Sequence, residues 1–279
     1  MKDTPQMPSV LDDHEKPVPK TGLHVLITGT TSGIGQGLVQ HYSALGVSVT
    51  AVNRRKDAEL EARYPAVRFE HIDVQDTQAV KNLIVGLARA DNMPDVLILN
   101  AGINRVDNDI EFDLAQFNEI LAINLLGVMN FVAPITALRI WPKKIRITVV
   151  SSSTNYVANP YCLGYYISKK AVTQSFQVLF EMYKKTNLQF KWVVLGPVPT
   201  PIDSSSDKFP KIMVRVKQMF SASVHATVLS IAKFAASDRH RLIFPLRSFV
   251  LFQGMRLGQC ILPGFFRGRK SLSGRQRGK

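Results

Sequence analysis

The sequence is poor in cysteine and has no long hydrophobic run. Two cysteines, Cys162 and Cys260, occur in 279 residues, which is too few for a disulfide framework, and no cluster of metal ligands surrounds either one. No stretch of about 18 uninterrupted apolar residues is present. The longest candidate, residues 248–266, is broken by Arg256, three glycines and Pro263. We therefore expect reduced thiols, no metal, no membrane-spanning helix and a cytoplasmic location.

Acidic residues are missing from residues 239–279, which hold ten lysines and arginines. This segment therefore carries most of the net charge of +14. Its part from residue 248 to 279 mixes phenylalanine, leucine and isoleucine with arginine. Such a mixture suits peripheral contact with an anionic membrane surface, or a docked helix followed by a solvated basic end. Motifs for base stacking or base reading are absent, so no nucleic-acid partner is expected.

Residues 1–20 contain four prolines and mixed charges without an apolar core, and we expect a flexible leader rather than a secretory signal. From residue 21 to 247 the chain, 46% apolar overall, is long enough for one large core. Short β-branched runs alternate there with amphipathic stretches. The strand candidates are residues 24–28, 48–52, 68–72, 95–99, 145–150, 190–195 and 241–245. The helix candidates include residues 34–45, 77–90, 113–138 and 165–185. This alternation predicts one doubly wound α/β domain of Rossmann type with a mainly parallel seven-stranded sheet.

Glycines follow the first predicted strand in the segment GTTSGIGQGL, at positions 29, 33 and 35. Ligands of such sheets bind at the carboxyl ends of the strands, where glycine lets a pyrophosphate approach backbone N–H groups and a helix N-terminus. The segment Thr28–Gly35 resembles the Thr-Gly-x-x-x-Gly-x-Gly motif of the short-chain dehydrogenase/reductase family. The resemblance implies a set of cofactor contacts: Gly29, Thr30, Ser32, Gly33, Ile34 and Gly35.

The second predicted strand ends in VNRRK. An acid there would bind the ribose hydroxyl of NAD, whereas an arginine can pair with the 2′-phosphate of NADP. Asn53 takes this position, and Arg54 and Arg55 follow it. We therefore predict NADP(H) as the cofactor in preference to NAD(H). The alternative is that both arginines are solvated surface charges with no role in cofactor binding.

Three further motifs extend the resemblance over residues 22–202. Asp73 and Val74 match the family's adenine-contacting pair. Asn100, Ala101 and Gly102 match its Asn-Ala-Gly motif, which supports the sheet and lines the cofactor. Finally, Asn124 matches the family's catalytic asparagine.

The segment GYYISKKAV contains two overlapping Tyr-x-x-x-Lys pairs. On a helix, the face of Tyr165 and Lys169 continues through Val172, Phe176, Leu179 and Phe180, which predicts an inward face. The face of Tyr166 and Lys170 continues through Thr173, Gln177, Glu181 and Lys184, which predicts a solvent face. The family's Tyr-x-x-Ser-Lys pattern also matches Tyr165, Ser168 and Lys169.

The resemblance implies a catalytic set of Asn124, Ser152, Tyr165 and Lys169. Lys169 would favour the phenolate of Tyr165 and hold the nicotinamide ribose, and Tyr165 would exchange a proton with the substrate oxygen. Ser152 would bind that oxygen, with Ser153 as the alternative. Asn124 would hold a water in a proton relay behind Lys169.

The segment LGPVPTPI follows the sixth predicted strand and resembles the family's Pro-Gly-x-x-x-Thr-Pro loop, with Leu195 in place of the first proline. The resemblance places Val198 against the nicotinamide ring and Thr200 on its carboxamide. Residues 204–223 fall where the family has a substrate lid, although their apolar residues also fit a packed helix. A second apolar stripe on the helix from Tyr165 indicates that this helix contacts two partners. The stripe consists of Ile167, Ala171, Ser175, Val178 and Met182. Members of the family that the chain resembles often pair through this helix and the preceding one, so the resemblance implies a homodimer or homotetramer.

The function that these features predict is an NADP-dependent oxidoreductase that moves a hydride between nicotinamide and a carbonyl or secondary alcohol, with a lipophilic substrate favoured. One alternative is a non-catalytic NADP-binding regulator or scaffold whose basic tail docks on a membrane or partner. Another is a family member that epimerises or dehydrates its substrate. The complete set of four catalytic residues favours the oxidoreductase.

Overall fold

Seven parallel strands form one sheet in the computed structural model, which describes residues 22–105, 112–156, 162–203, 215 and 218–246. In chain order the strands are β1 His24–Thr28, β2 Ser48–Asn53, β3 Arg68–His71, β4 Val96–Leu99, β5 Ile145–Ser152, β6 Leu188–Leu195 and β7 Arg241–Phe244. They lie in the order β3-β2-β1-β4-β5-β6-β7. Every described pairing is parallel. The predicted seven-stranded Rossmann-type fold is confirmed.

The strand order reverses between β1 and β4, because the chain first builds the sheet outward to β3 and then returns past β1. Central strands are buried on both faces: all residues of β1 and β4 are inaccessible or nearly so. Their apolar side chains explain why short β-branched runs, rather than alternating patterns, marked these strands in the sequence. The crevice above the carboxyl ends of β1 and β4 is the expected ligand position in such a sheet.

Helices cover both faces of the sheet. They are α1 Gly33–Ala44, α2 Ala58–Arg63, α3 Thr77–Arg89, α4 Leu114–Leu121, α5 Gly127–Ala137, α6 Leu163–Tyr183 and α7 Val224–Ala236. Helices α1 and α7 contribute to one apolar cluster, and α3, α5 and α6 contribute to the other. Several helices begin at a side chain that caps free backbone N–H groups: Asp76 accepts from Gln78 and Ala79, and Asp113 accepts from Gln116.

The single helix predicted for residues 113–138 is interrupted. A π-helical turn, Ala122–Leu126, joins α4 to α5, and a local change of helical pitch leaves too weak a trace in hydrophobic periodicity to be predicted. Counted through the π turn, the helical segment Leu114–Ala137 is long and apolar enough to cross a membrane. It packs instead within the domain, where α4 contacts α6 and α5 contacts α3.

Several predictions concern segments outside the described residues. These are the leader at residues 1–20, the basic tail at residues 248–279 and most of the predicted lid at residues 204–223.

Candidate active site

The glycine-rich loop after β1 is held by the segment that follows β4. Gly29 has a φ of +70°, and a Cβ at this position would lie 2.7 Å from the Cα of Ala101, so only glycine fits. The Asn100 amide donates to the carbonyls of Thr28 and Gly29 at 3.2 and 3.1 Å. The Thr28 hydroxyl accepts from the N–H groups of Asn100 and Ala101, both at 3.0 Å. The predicted cofactor residues Asn100 and Ala101 therefore shape the loop.

Helix α1 begins inside this loop. A Cβ on Gly35 would collide with the Gly29 carbonyl oxygen, so the turn closes tightly only with glycine here. The first turn of α1 contains no acid, and the side chain of the N-cap residue, Ser32, makes no capping hydrogen bond. These first-turn N–H groups suit a pyrophosphate anion, and the residues present therefore fit a dinucleotide.

The loop after β6 reaches the same place. A Cβ on Gly33 would lie 3.2 Å from the Cβ of Thr200, so Thr200 contacts the start of α1. Val198 is buried, while Ile34 packs against the apolar cluster beneath α1. The structure thus brings Thr200 beside the glycine loop, and its predicted contact with the nicotinamide carboxamide stays a prediction.

Asn53 points into the protein. Its Oδ1 atom accepts from both the N–H and the hydroxyl of Thr30, at 2.8 and 2.7 Å. Both side chains are buried, so this pair fixes the glycine loop against the end of β2. The neighbouring Arg54 is 55% exposed and lies 3.9 Å from the carboxylate of Asp73. At the end of β2 the positive charge is on the exposed Arg54, while the buried Asn53 holds the glycine loop; their predicted contacts with the cofactor stay predictions.

Val74 lies against α5, because a Cβ on Gly127 would come within 2.7 Å of the Val74 side chain. The Asn130 amide holds the Val74 carbonyl at 2.8 Å. These contacts fix the segment after β3 next to the helix that follows the π turn.

Asn124 lies in the π turn and is buried. Its amide exchanges two hydrogen bonds with the backbone of Ile103, at 2.8 and 2.9 Å, and donates a further one to Ser168 at 3.1 Å. Both amide hydrogens are used, so a relay through Asn124 has to employ an oxygen atom, on its side chain or backbone. Neither Ile103 nor the π turn was predicted from sequence.

The two Tyr-Lys pairs differ mainly in their lysines. Lys169 is 5% exposed, its Nζ donates to the Val150 carbonyl at 2.9 Å, and it lies 5.7 Å from the Tyr165 ring centre. Burial lowers the pKa of Lys169 to about 8. Lys170 is exposed and donates to the Tyr166 hydroxyl at 3.3 Å. Both tyrosines are half-buried.

Asn124 and Lys169 meet at Gly102. A Cβ on Gly102 would lie 3.1 Å from the Asn124 Oδ1 and 3.4 Å from the Lys169 Nζ. The segment after β4, the π turn and helix α6 thus converge on one point at the carboxyl edge of the sheet.

The three consecutive serines have different surroundings. Ser151 is buried, and its hydroxyl donates to the Lys169 carbonyl at 3.0 Å. Ser153 is also buried, at the start of the 3-10 turn Ser153–Tyr156. Ser152 is half-buried at the last position of β5, where its hydroxyl accepts from the Thr154 N–H at 3.3 Å. Of the three, Ser152 is the most accessible at the strand end.

The prediction that Thr173 lies on a solvent face is wrong. Thr173 is 6% exposed, because the Asn155 amide covers it and donates to its hydroxyl at 2.8 Å. Helical periodicity describes one helix alone, whereas Asn155 comes from the 3-10 turn after β5. No motif in the sequence marks Asn155.

The sequence is similar to those of known proteins. The sequence model described as short chain dehydrogenase matches residues 23–211. The chain is 31% identical over 195 residues to glucose 1-dehydrogenase of Gluconobacter oxydans, which covers 66% of this chain and 72% of that protein.

Two solved structures share the fold. A gluconate 5-dehydrogenase from Burkholderia cenocepacia, in complex with NADP and tartrate, has a TM-score of 0.71 at 21% identity, covering 80% of this chain and 93% of its own. A short chain dehydrogenase/reductase from Burkholderia phymatum, in complex with NAD, has a TM-score of 0.70 at 16% identity, covering 87% and 95%. The chain described here belongs to the short-chain dehydrogenase/reductase family, a family of nicotinamide-dependent oxidoreductases.

Proposed function

We propose that this protein is an NADP-dependent oxidoreductase that interconverts a carbonyl compound and a secondary alcohol. The observation that carries the proposal is the buried ammonium of Lys169, 5.7 Å from the Tyr165 ring. It lies at the sheet edge where the glycine loop fits a dinucleotide. A buried cation beside a phenol is an arrangement for proton exchange at neutral pH.

The residues of the chain divide the chemistry between them. The nicotinamide, when bound, supplies or accepts the hydride. Tyr165 gives a proton to the carbonyl oxygen during reduction, and its phenolate takes that proton back during oxidation. Lys169 favours the phenolate because its positive charge lies close by in a site of low polarity. Ser152 donates a hydrogen bond to the substrate oxygen and so orients it.

The preference for NADP rests on charge. Arg54 and Arg55 are exposed beside the end of β2, and Lys56 follows them. Asp73 is the only acid that the described ion pairs place next to Arg54. An Arg54→Glu variant should raise the KM for NADPH at least about tenfold and leave the KM for NADH nearly unchanged. A wild-type enzyme that already prefers NADH would contradict the proposal.

The doubled motif provides a test of the acid/base pair with its own control. Tyr165→Phe should lower kcat by about 100-fold or more, since it removes the proton donor, while NADPH fluorescence titration should show binding retained. Tyr166→Phe removes an equivalent hydroxyl one position along the helix and should leave kcat within about twofold. A dead Tyr166→Phe variant with an active Tyr165→Phe variant would reverse the assignment. Substrates for the assay come from a screen of steroid, retinoid, acyl and sugar ketones.

We also propose peripheral binding to anionic membranes through residues 248–279, and a lipophilic substrate that such a location would deliver. The support is compositional: basic and apolar residues alternate in this tail. The full chain should sediment with vesicles containing phosphatidylserine at low salt and dissociate at high salt. A variant with Arg267, Arg269 and Lys270 changed to glutamine should bind less. Equal partitioning of the two proteins would reject the membrane proposal.

A further inference from the structure

A cluster of hydroxyl and amide groups ties strand β5 to helix α6 below the Tyr165–Lys169 pair. The Ser151 hydroxyl lies 3.0 Å from the Lys169 carbonyl and 2.6 Å from the Thr173 hydroxyl. The Thr173 hydroxyl also donates to the Lys169 carbonyl, at 2.8 Å. The Asn155 amide nitrogen donates to the hydroxyls of Ser151 and Thr173 at 3.1 and 2.8 Å. Three separate elements, β5, the 3-10 turn and α6, therefore meet in this cluster.

The donors in this cluster point in one direction. The Asn155 amide nitrogen can only donate, and its two hydrogens are enough for the two hydroxyl oxygens. Each hydroxyl then has one hydrogen left: one lies in the 2.6 Å bond between the two hydroxyls, in which either oxygen can be the donor, and the other goes to the Lys169 carbonyl. Every hydrogen of the three side-chain groups has an acceptor in this arrangement. The direction of bonding runs from Asn155 through the hydroxyls to Lys169.

Lys169 is thereby held to β5 at two points. Its carbonyl accepts from the bonded pair of Ser151 and Thr173 hydroxyls, and its Nζ donates to the carbonyl of Val150, the residue before Ser151 in the same strand, at 2.9 Å. The next residue of β5 is Ser152. A lysine side chain loses much rotamer freedom when it is fixed, so an ammonium at a fixed position needs a fixed anchor.

We propose that Asn155 and Thr173 are positioning residues, which fix Lys169 against β5 and so keep its ammonium where it stabilises the phenolate of Tyr165. The inference rests on the proposed acid/base role of the Tyr165–Lys169 pair. A threonine hydroxyl bonded to the carbonyl four residues earlier is common within helices. The bonds from Ser151 and Asn155 come from outside the helix and distinguish Thr173 from that ordinary case.

The same helix offers a matched control. The Ser175 hydroxyl donates to the Ala171 carbonyl at 3.0 Å, which is the same intrahelical bond without a described tie to β5.

Other charges do not complicate the comparison. The groups that face Lys169 from β5, the π turn and the segment after β4 are the Val150 carbonyl, Asn124 and Gly102, and none of them titrates. Burial alone accounts for the lowered pKa of Lys169.

The test follows the ionisation of Tyr165 without needing a substrate. The chain has seven tyrosines, so near-ultraviolet titration of each variant is compared with the same variant carrying Tyr165→Phe, and the difference isolates Tyr165. Thr173→Val should raise the Tyr165 midpoint by about one unit towards the reference value near 10. This shift means about tenfold less phenolate below the midpoint, and kcat for alcohol oxidation should fall by about the same factor. Thr173→Ser should restore both values, and Ser175→Ala should change neither.

The possible failures are separable. A Thr173→Val protein that folds and keeps the wild-type Tyr165 midpoint would overturn the positioning role. Should Thr173→Val not fold, Asn155→Ala is measured in its place, because the Ser151 and Thr173 pair still bonds to Lys169 and only the Asn155 donor is lost. An unshifted Tyr165 midpoint in Asn155→Ala would likewise overturn the positioning role. A wild-type Tyr165 that ionises like ordinary tyrosine would instead refute the acid/base pair, and with it the proposed function.

Discussion

Lys169 combines burial with a positive charge, and its ionisation should be visible in the stability of the protein. Burial lowers its pKa from 10.5 to about 8 in the folded state. Between these values the unfolded chain binds the proton more strongly, so stability should rise with pH across this window. Above pH 10.5 the side chain is neutral in both states and the effect ends.

Lys169→Met should remove this dependence. The free energy of unfolding of the wild type, relative to Lys169→Met, should increase by about 3 kcal/mol from pH 8 to pH 10.5. Urea unfolding at several pH values measures the difference, in which the contributions of groups remote from Lys169 cancel. Lys170→Met controls for the loss of one positive charge at an exposed position. Parallel pH profiles for the wild type and Lys169→Met would show that burial does not depress the pKa of this lysine.

Gly102 separates two functional side chains and should not tolerate a methyl group. In Gly102→Ala the new Cβ would stand 3.1 Å from the Asn124 Oδ1 and 3.4 Å from the Lys169 Nζ. We expect kcat to fall by about tenfold or more, since small displacements at a reacting centre are costly.

Gly86→Ala in α3 is the control for Gly102→Ala, because a Cβ there meets nothing within 4 Å. It should leave kcat unchanged and stabilise the fold by about 0.5–1 kcal/mol through helix propensity. Equal kcat values for both alanine variants would mean that Gly102 is not a close contact in the working enzyme.

At the scale of elements, helix α7 ends on a buried lysine of β6. Lys191 donates to the carbonyls of Phe234, Ala235 and Ser237 at 2.6, 3.0 and 2.6 Å. The last carbonyls of a helix have no N–H partner four residues on, although the Phe234 carbonyl also accepts from the Ser237 N–H, and a cation is favoured at this end of the helix dipole. Burial opposes the charge and lowers the pKa of Lys191 to about 7.

Lys191→Met should destabilise the protein by about 2–4 kcal/mol, because it removes a buried donor from three carbonyls, of which the Phe234 carbonyl keeps the N–H and hydroxyl of Ser237 as donors. Lys233→Met removes an exposed basic residue in the last turn of the same helix and should cost at most about 1 kcal/mol. Chemical unfolding of both variants measures the contrast. Similar losses of stability in the two variants would mean that Lys191 contributes only as a positive charge near the helix end and not through its hydrogen bonds.

The sequence predicted some elements well and others poorly, for reasons that the structure makes plain. β1 was predicted at its observed bounds, because a strand buried on both faces is a short apolar run between turn residues. The π turn at Asn124 was missed, since one extra residue in a helical turn hardly alters periodicity. Lys169 and Lys170 were separated correctly by helical face. Thr173 was placed wrongly on that argument, because Asn155 reaches it through tertiary folding.

At the scale of the whole molecule, the exposed side of α6 is relevant to how copies of the chain associate. Val178 and Met182, both on the second apolar stripe, are 58% and 66% exposed. We propose that this stripe forms part of an interface between two copies of the chain, as the sequence pattern predicts. A stable interface needs about 1,000 Å² or more of buried surface, with apolar side chains at its centre.

A charge on this stripe should separate the two copies. Val178→Glu should shift the light-scattering mass from that of a dimer or tetramer towards the 31.1 kDa of one chain, because an unpaired carboxylate buried at an interface is strongly unfavourable. Leu229→Glu places the same charge at a 43% exposed leucine of α7, on the opposite face of the sheet, and should leave the mass unchanged. If Leu229→Glu alone dissociated the protein, the interface would lie on α7. A monomeric wild type would exclude either interface, and the Tyr165–Lys169 site would then have to be complete within one chain.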